Sequence, residues 1–344
     1  MTTPFHIGIL TAGGDCQGLN AALRGVTLAA LEKGWKVTGI LDGFLGLAEC
    51  DTKPLNRECI QNIIGLGGTI LGTGRGGGKA KSMEEAVDLC VQACQKLEID
   101  ALVCLGGDGT QRFSLALHQK GIKLVTLPKT IDNDIAETDI TFGFDTAVQV
   151  SVTALDRLKT TGDSHHRLMI LEVMGRDAGW LAAAAALAGG ADICLIPEVP
   201  FMMTSIVNSL KAHIYEHRSA LLVIAEGAIS KEEAVLGLKP KKHAAAMRIV
   251  DQIPELTGME ARLTTLGYVS RGGTPTAADR IFATQCGVKA VELISNNQFG
   301  VMVASQGGRL VPVAIEKVAG NPRMIPYDHP LLISLKSMGV SLGE

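Results

Sequence analysis

A succession of short apolar runs, each ending in a polar or glycine-rich turn, is the feature that most constrains the fold of this chain. Several runs are apolar throughout instead of alternating, which is typical of parallel strands covered on both faces. Helical patterns separate the runs, so the sequence predicts an α/β fold of βαβ units and doubly wound parallel sheets. The runs are HIGIL (6–10), WKVTGIL (35–41), ALVCL (101–105), KLVTL (123–127), LMILEV (168–173), ADICLIP (191–197) and ALLVIAE (220–226).

The stretch 82–97 specifies one of the helices in detail, because Ser82 and Glu85 have the spacing of a capping box. Apolar side chains then recur with a helical period at Val87, Cys90, Val91, Cys94 and Leu97. The stretch 230–243 carries several lysines around Pro240. It is expected to be an exposed, solvated loop, with a basic ligand-binding patch as the alternative.

Length and composition favour a globular protein of two domains. A single core rarely organises as many as 344 residues. The chain is 47% apolar and 19% charged, which excludes a disordered protein. Its net charge of −3 gives no indication of binding to nucleic acid or to a membrane surface.

The cysteines and the apolar segments favour a reducing, soluble environment. The 8 cysteines form no CxxC pair, so buried reduced thiols are expected and not a metal site. The first residues lack a charged region before their apolar run, so no signal peptide is expected. The most apolar stretch, 179–191, is too short to cross a bilayer. A cytoplasmic location is therefore expected.

Three turns that follow apolar runs carry the chemistry. HIGIL leads into TAGGD (11–15), ALVCL into GGDGT (106–110), and KLVTL into PKTIDND (128–134). In open α/β sheets, ligands bind beyond the carboxyl ends of the strands. Paired glycines let a backbone approach phosphate oxygens, and Asp108 offers an oxygen ligand for magnesium. A tight structural turn is the alternative for each GGD segment alone, but two such turns favour a phosphate site.

PKTIDND is the densest of the three turns, since two carboxylates, a hydroxyl and an ammonium lie within seven residues. A carboxylate near a cation and hydroxyls can accept a proton from a substrate as attack begins. Taken alone, the segment could also be an Asx-rich turn that closes a loop.

Six segments in a fixed order resemble the phosphofructokinase family, and the resemblance runs from about residue 6 to beyond residue 310. They are TAGGDCQGLNAALRG (11–25), GGTILGTGR (67–75), GGDGT (106–110), PKTIDND (128–134), EVMGR (172–176) and SRGG (270–273). The resemblance implies phosphoryl transfer to the 1-hydroxyl of fructose 6-phosphate in glycolysis, giving fructose 1,6-bisphosphate. It also implies two Rossmann-like domains with mainly parallel sheets and an active site in the cleft between them.

The expected domains are discontinuous. A larger domain that binds the phosphoryl donor is expected from 1–142 plus about 258–306. A smaller domain that binds fructose 6-phosphate is expected from 143–257 plus about 307–344.

On the donor side, the resemblance makes Asp132 the base that takes the proton from the 1-hydroxyl. Thr130 would hydrogen-bond the transferring phosphoryl group, and Asp134 would help order the metal site. Arg75, Arg176 and Lys129 complete the expected catalytic set. The expected donor-binding residues are Gly14, Arg75, Gly76, Gly107, Asp108, Gly109 and Thr110, with Asp108 as the ligand of Mg²⁺.

On the sugar side, Arg167, Arg262 and Arg271 match arginines that clamp the 6-phosphate, and guanidinium groups suit that geometry. Tyr268 stands where many members have a histidine. The resemblance implies that Arg167 and Arg262 reach into a neighbouring subunit, so a homo-oligomer, either a dimer or a tetramer, is expected. The remaining sugar-side residues are Thr130, Ile131, Asp132, Met174, Gly175, Arg176 and Glu226.

Two positions indicate the phosphoryl donor, and they disagree. Relatives that use pyrophosphate usually have Asp in place of Gly109, where a carboxylate would exclude the α-phosphate of ATP. Gly109 therefore favours ATP, whereas Lys129 resembles the pyrophosphate users. ATP is the expected donor, because steric exclusion is more decisive than an added charge, and pyrophosphate is the alternative.

Two more distant alternatives concern the function itself. GGDGT also occurs in NAD kinases and diacylglycerol kinases, but such an activity leaves PKTIDND and EVMGR without a role. An inactive sugar-phosphate sensor would be expected to lack the base or the metal ligand, yet Asp132 and Asp108 are present. Effector regulation stays open, because Leu28 and Lys159 replace arginines expected in the family's nucleotide pocket.

Overall fold

The computed structural model of the chain describes residues 4–74, 80–216, 218–241 and 243–344, without the side chains of 213–216. These residues form two compact units. Unit 1 comprises Met1–Ile131, Ile135–Thr146 and Arg271–Arg323, and unit 2 comprises Asp132–Asp134, Ala147–Ser270 and Met324–Glu344.

Strands and helices alternate along most of the chain. In chain order the strands are β1 (His6–Thr11), β2 (Lys36–Ile40), β3 (Thr52–Pro54), β4 (Ala101–Gly106), β5 (Leu124–Pro128), β6 (Leu168–Val173), β7 (Ile193–Leu195), β8 (Ala220–Ala225), β9 (Ala261–Thr265), β10 (Val301–Gln306) and β11 (Arg309–Ala314). The α-helices are α1 (Leu19–Glu32), α2 (Phe44–Glu49), α3 (Met83–Lys96), α4 (Asp108–Gln119), α5 (Phe144–His165), α6 (Trp180–Gly189), α7 (Met203–Glu216), α8 (Lys231–Val235), α9 (Ala244–Thr257), α10 (Ala277–Ser295) and α11 (Pro330–Ser337). Short 3₁₀ helices span Gly267–Arg271 and Ile315–Lys317.

Unit 1 is built on a seven-stranded sheet in the order β11-β10-β5-β4-β1-β2-β3. Its inner pairs are parallel, and an antiparallel partner closes each edge, β3 on β2 and β11 on β10. Every residue of β1, β4 and β5 is buried, as their continuous apolar runs predict. Thr11 lies opposite Leu105 and Gly106 lies opposite Pro128, so these three strands end at one edge.

Close helix packing covers this sheet. Helices α1 and α10 pack against each other through glycines. A Cβ at Gly25 would lie 2.7 Å from the carbonyl oxygen of Thr284, and one at Gly287 would lie 2.6 Å from that of Ala22. Larger side chains at either glycine would separate the helices.

Unit 2 is built on a four-stranded, fully parallel sheet in the order β7-β8-β6-β9. Ile206, Leu210, Ile249 and Ile253 of α7 and α9 belong to its core and are fully buried. Burial of each such side chain contributes about 1.5–3 kcal/mol to folding. The chain terminus adds to the β7 edge, where Ser341 N donates to the Asp192 carbonyl at 3.0 Å.

The predicted fold class is confirmed, and each of the predicted strands is present. Helix α3 lies where predicted, and the Ser82 side chain accepts from Glu85 N. The prediction of a capping box is wrong, because the Glu85 carboxylate accepts from Lys81 N and not from the backbone N–H of Ser82. A reciprocal box instead joins Ser230 and Glu233 at the start of α8. The stretch 230–243 is thus partly helical, although it is largely exposed as expected.

The two units differ from the predicted domain boundaries at four segments, of which two are short: residues 132–134 belong to unit 2 and residues 143–146 to unit 1. Residues 258–270 were expected in the donor domain, but β9 pairs with β6 and belongs to unit 2. Residues 307–323 were expected in the sugar domain, but β11 pairs with β10 and belongs to unit 1. Which ligand each domain binds stays a prediction.

The eight cysteines are free thiols, six of them buried. Within the described ranges, every helix is too short or too polar to cross a membrane.

Candidate active site

Three loops meet at the carboxyl edge of the unit 1 sheet, beyond β1, β4 and β5. Ala12 N donates to the Leu105 carbonyl at 2.9 Å, and Lys129 N donates to the Gly106 carbonyl at 3.2 Å. The Thr110 hydroxyl reaches the Ala12 carbonyl at 3.4 Å. The sequence places these residues far apart, and the parallel register brings them together.

The conformation of the first loop, TAGGD, depends on its glycines and on a hydrogen bond to its backbone. Gly13 has a φ of 80°, a conformation that favours glycine. The Thr73 hydroxyl donates to the Gly13 carbonyl at 2.6 Å. A Cβ at Gly14 would lie 2.7 Å from Nη1 of Arg271, so a larger residue would require that guanidinium to shift.

The second loop, GGDGT, begins α4. Asp108 is the first residue of the helix, and the Thr110 and Gln111 amides donate to the Gly107 carbonyl. Among the described residues, no atom lies within 4 Å of where a Cβ of Gly109 would be, so these residues leave open space there. The start of α4 thus presents backbone N–H groups and the positive end of a helix dipole, which suit phosphate oxygens.

Asp108 is held by partners within unit 1. One carboxylate oxygen accepts from Gly320 N at 2.8 Å. The other lies 2.8 Å from Nη2 of Arg112, one helical turn further along α4. The sequence reasoning missed Arg112, although its i,i+4 spacing from Asp108 on a predicted helix could have revealed the pair.

Asp108 suits a magnesium ion that it would share with donor phosphates. In the part of the chain that the structure describes, no three His, Cys, Asp or Glu side chains gather as a metal-binding cluster. Mg²⁺ commonly uses only one or two protein carboxylates together with substrate phosphates. The Asp108 side chain is 14% exposed at the N-terminal end of α4, so its donor type and position fit that mode.

The third loop, PKTIDND, follows β5 and is buried throughout. Its polar side chains are exposed by only 3% at Lys129, 7% at Thr130, 2% at Asp132, 4% at Asn133 and 6% at Asp134, and Ile131 is fully buried. Polar groups are seldom buried in a row without partners or a function. Thr141 donates to the Thr130 carbonyl at 2.7 Å, which fixes the backbone of this loop.

Lys129 belongs to the first loop as well as to the third. Its ammonium donates to the Gly14 carbonyl. It also lies 3.9 Å from where a Cβ of Gly13 would be. Arg75 and Gly76, which the sequence analysis assigned to the donor site, lie outside the described residues.

Cys16, in the segment after TAGGD, is not a nucleophile. Burial raises the pKa of its thiol to about 12, so the group is a neutral thiol near pH 7.

In unit 2, residues expected to bind sugar gather at the carboxyl edge of the sheet. Met174, Gly175 and Arg176 follow β6, and Glu226 follows β8, its parallel neighbour. Arg176 N donates to Oε1 of Glu226 at 3.2 Å, and Glu226 N donates to the Val173 carbonyl at 2.9 Å. The Arg176 side chain is exposed, so this edge offers a carboxylate and a guanidinium to a polar ligand.

Arg167 and Arg262 lie at the opposite, amino edge of the same sheet. Arg167 directly precedes β6. Arg262 is in β9, where it lies opposite Met169 of β6. Both guanidiniums contact Oε2 of Glu260, at 2.7 and 2.9 Å respectively. The length of β6, roughly 20 Å, separates them from Arg176. The unit 2 sheet therefore does not bring the predicted sugar residues into one group.

Tyr268 and Arg271 lie in the 3₁₀ helix that follows β9. Tyr268 is 75% exposed. Nη1 of Arg271 donates to the Asp15 carbonyl at 2.9 Å, so its guanidinium lies against the first loop of unit 1. The sequence assigned Arg271 to the 6-phosphate, and that role stays a prediction.

Comparisons with known proteins agree on one family. Residues 6–294 match the model of the family described as Phosphofructokinase. The chain is 42% identical to a protein of Spirochaeta thermophila named ATP-dependent 6-phosphofructokinase, covering 98% of this chain and 97% of that one. It is 40% identical to a protein of Amycolatopsis methanolica named Pyrophosphate–fructose 6-phosphate 1-phosphotransferase, covering 94% and 97%.

A solved structure of this family has a similar fold. The crystal structure of Pichia pastoris phosphofructokinase in the T-state matches with a TM-score of 0.82 and 29% identity. The match covers 92% of this chain but 36% of the yeast chain, so this chain spans about a third of that protein's length.

Proposed function

The chain belongs to the phosphofructokinase family, and from that membership we propose that it transfers a phosphoryl group from ATP to the 1-hydroxyl of fructose 6-phosphate. The products are fructose 1,6-bisphosphate and ADP, and the reaction is a step of glycolysis. The observation that carries the proposal is the buried polar loop from Lys129 to Asp134 beyond β5. A dry site of this kind strengthens electrostatic interactions with a reacting phosphoryl group.

Asp132 is the proposed base of the reaction. A carboxylate can accept the proton of the 1-hydroxyl as that oxygen attacks the phosphorus. Thr130, two residues before it, is proposed to donate a hydrogen bond to the transferring group. Their burial, at 2% and 7% exposure, supports roles that need exclusion of water.

The donor is proposed to bind at the carboxyl edge of unit 1. The glycines of the first two loops let phosphate oxygens approach backbone N–H groups, and the start of α4 favours negative charge. Asp108 would hold Mg²⁺ there, and when bound this ion neutralises charge on the donor phosphates. Lys129 adds a buried ammonium beside the first loop. Arg75 and Gly76 are proposed as further donor-binding residues on the family resemblance alone.

ATP is the proposed donor because of Gly109. In the part of the chain that the structure describes, no atom lies within 4 Å of where its Cβ would be, which supports a donor larger than pyrophosphate at the start of α4. Several relatives that match nearly the whole chain are named ATP-dependent. Pyrophosphate is the second candidate, because another relative of similar identity is named for it.

The sugar phosphate is proposed to bind residues of unit 2. Arg176 and Glu226, joined at the carboxyl edge, suit the hydroxyls of the sugar and a phosphate oxygen. Met174, Gly175 and Tyr268 of unit 2 are proposed to line the same ligand. Ile131 and Arg271, which belong to unit 1, stay proposed sugar-side residues on the family resemblance alone.

The active form is proposed to be a homo-oligomer, a dimer or a tetramer, located in the cytoplasm. Arg167 and Arg262 lie at the edge of the sheet opposite to Arg176. That separation supports the proposal that they serve the 6-phosphate of a neighbouring subunit.

A coupled assay tests the proposal. Purified protein with Mg²⁺ is given fructose 6-phosphate and either ATP or pyrophosphate, with glucose 6-phosphate as the control acceptor. We expect formation of fructose 1,6-bisphosphate that requires fructose 6-phosphate and prefers ATP. Failure to phosphorylate fructose 6-phosphate with either donor would contradict the proposed reaction. A preference for pyrophosphate would contradict the donor alone.

A further inference from the structure

A buried carboxylate lies just before the sugar-side residues of unit 2. Glu172 is the fifth residue of β6, and its side chain is only 2% exposed. A buried carboxylate is costly unless hydrogen bonds satisfy its oxygens. Its Oε2 accepts from the Thr265 hydroxyl at 2.9 Å and from Nδ1 of His243. A carboxylate can only accept, so Nδ1 carries the proton of this bond.

Through its hydrogen bonds, the Glu172 carboxylate connects β6 with β9 and with the start of α9, at the carboxyl end of the unit 2 sheet. The Glu172 backbone lies between β8 and β9, opposite Ile224 and Thr265. Leu266 N donates to the Glu172 carbonyl at 3.1 Å. His243 adds the start of α9 to this junction. Met174 follows two residues after Glu172, and Tyr268 follows three residues after Thr265, so the junction supports both stretches of sugar-side residues.

The backbone conformation of His243 indicates that its side chain has a structural role. The residue is the N-cap of α9, with a φ of 64°. This left-handed conformation is costly for a residue with a Cβ, and glycine adopts it freely. Half of the ring is exposed, so core packing does not require it. The bond to Glu172 is the contact that a glycine could not make.

We propose that His243 is a positioning residue for the sugar-phosphate side of the site, acting through Glu172. The inference rests on the proposed function, since it concerns binding of fructose 6-phosphate. The ring donates to the buried carboxylate, and the carboxylate holds the ends of β6 and β9 in register. Met174, Gly175 and Arg176 then leave β6 in a fixed direction. His243 itself does not contact the substrate in this scheme.

Loss of the ring leaves Glu172 with one side-chain donor fewer. A buried carboxylate that loses a partner shifts toward water or other donors, and here a shift moves the end of β6. Sugar binding should weaken while the donor loops of unit 1 stay unchanged. We therefore expect a rise in the KM and Kd for fructose 6-phosphate, with the KM for ATP and kcat nearly constant.

Two substitutions at one position separate the hydrogen bond from the backbone. His243→Gly removes the ring and keeps the left-handed conformation without strain. His243→Asn also tolerates that conformation and is a favourable N-cap, and its amide can donate where Nδ1 does. Lys239→Ala, in the same exposed stretch, is the matched control for changes to the loop.

The experiment measures binding of fructose 6-phosphate by calorimetry, steady-state kinetics, and thermal unfolding of all four proteins. We expect His243→Gly to raise the Kd and KM for fructose 6-phosphate about tenfold, the effect of losing one hydrogen bond to a charged group. His243→Asn should recover most of the loss, and Lys239→Ala should resemble wild type.

Each outcome bears on a different claim. A Kd of His243→Gly equal to that of wild type overturns the positioning role and leaves the proposed function intact. Equal losses in the KM for ATP, the KM for fructose 6-phosphate and kcat would also overturn it, since they indicate general damage to the fold. Wild-type protein that does not bind fructose 6-phosphate overturns the proposed function and this inference with it.

Discussion

Gly109→Asp is the substitution that best tests how the chain selects its phosphoryl donor. Gly109 is the second residue of α4, next to the proposed magnesium ligand Asp108. Because a Cβ there would meet no atom of the described residues within 4 Å, these residues do not obstruct the start of a side chain at this position. Aspartate in the first turn also suits the helix dipole and replaces a poor helix former. Stability should therefore be unchanged or higher, by up to about 1 kcal/mol.

The effect on ATP should be much larger than the effect on stability. A carboxylate about 4 Å from a phosphate charge, at an effective dielectric constant of about 20, costs about 4 kcal/mol. That energy corresponds to a loss of about 10³-fold in kcat/KM for ATP. Pyrophosphate has no α-phosphate to occupy this space, so its use should be retained or gained, with the Lys129 ammonium close by.

The assay compares kcat/KM for the two donors in wild type, Gly109→Asp and Gly109→Asn, together with thermal unfolding. The asparagine variant has nearly the same size without the charge, so it separates bulk from repulsion. A folded Gly109→Asp protein that uses ATP as well as wild type does would refute the reasoning, since the open space would then not receive the donor.

Three further perturbations are expected to act on other parts of the molecule. Asp132→Asn should lower kcat by about 10²–10⁴-fold with little change in fructose 6-phosphate binding, and near-normal turnover would exclude Asp132 as the base. Arg262→Ala should chiefly raise the KM for fructose 6-phosphate, and mixing it with Asp132→Asn protein should restore some activity; a fully active monomer would contradict shared sites. Burial lowers the pKa of His6 from 6.5, so the folded chain binds this proton more weakly than the unfolded chain does. Its contribution to stability should be complete above pH 6.5 and decline as the pH falls below that value, so the urea midpoint of wild type should fall more steeply than that of His6→Gln.

The inner strands could be predicted from the sequence because they are apolar throughout. Strands β1, β4, β6 and β8 are buried at every position, and their runs carry the required pattern. The strands that escaped prediction, β3, β9, β10 and β11, include short and partly exposed edge strands, and β11 contains Pro312. The β10–β11 hairpin does carry a signal in the sequence, which is the glycine pair Gly307 and Gly308. Both glycines have positive φ in the turn.

The candidate site could be predicted loop by loop, but the contacts that organise it could not. The Lys129 ammonium reaches the Gly14 carbonyl across 115 positions of sequence. Only the parallel register of β1, β4 and β5 makes that contact possible. The contact of His243 with Glu172 spans 71 positions and likewise depends on the sheet. Sequence patterns report local periodicity, whereas such pairs depend on which strands become neighbours.

The single carboxylate of Glu260, shared by two guanidiniums at the amino edge of the unit 2 sheet, has a consequence for concentration. One negative charge faces two positive charges, so this cluster of three side chains keeps an excess positive charge. If those arginines complete a neighbour's site, a lone chain carries only some of the residues that bind the phosphate, and these two arginines face solvent. Catalysis per chain would then depend on how often chains meet, and specific activity should decline on dilution while each chain stays folded.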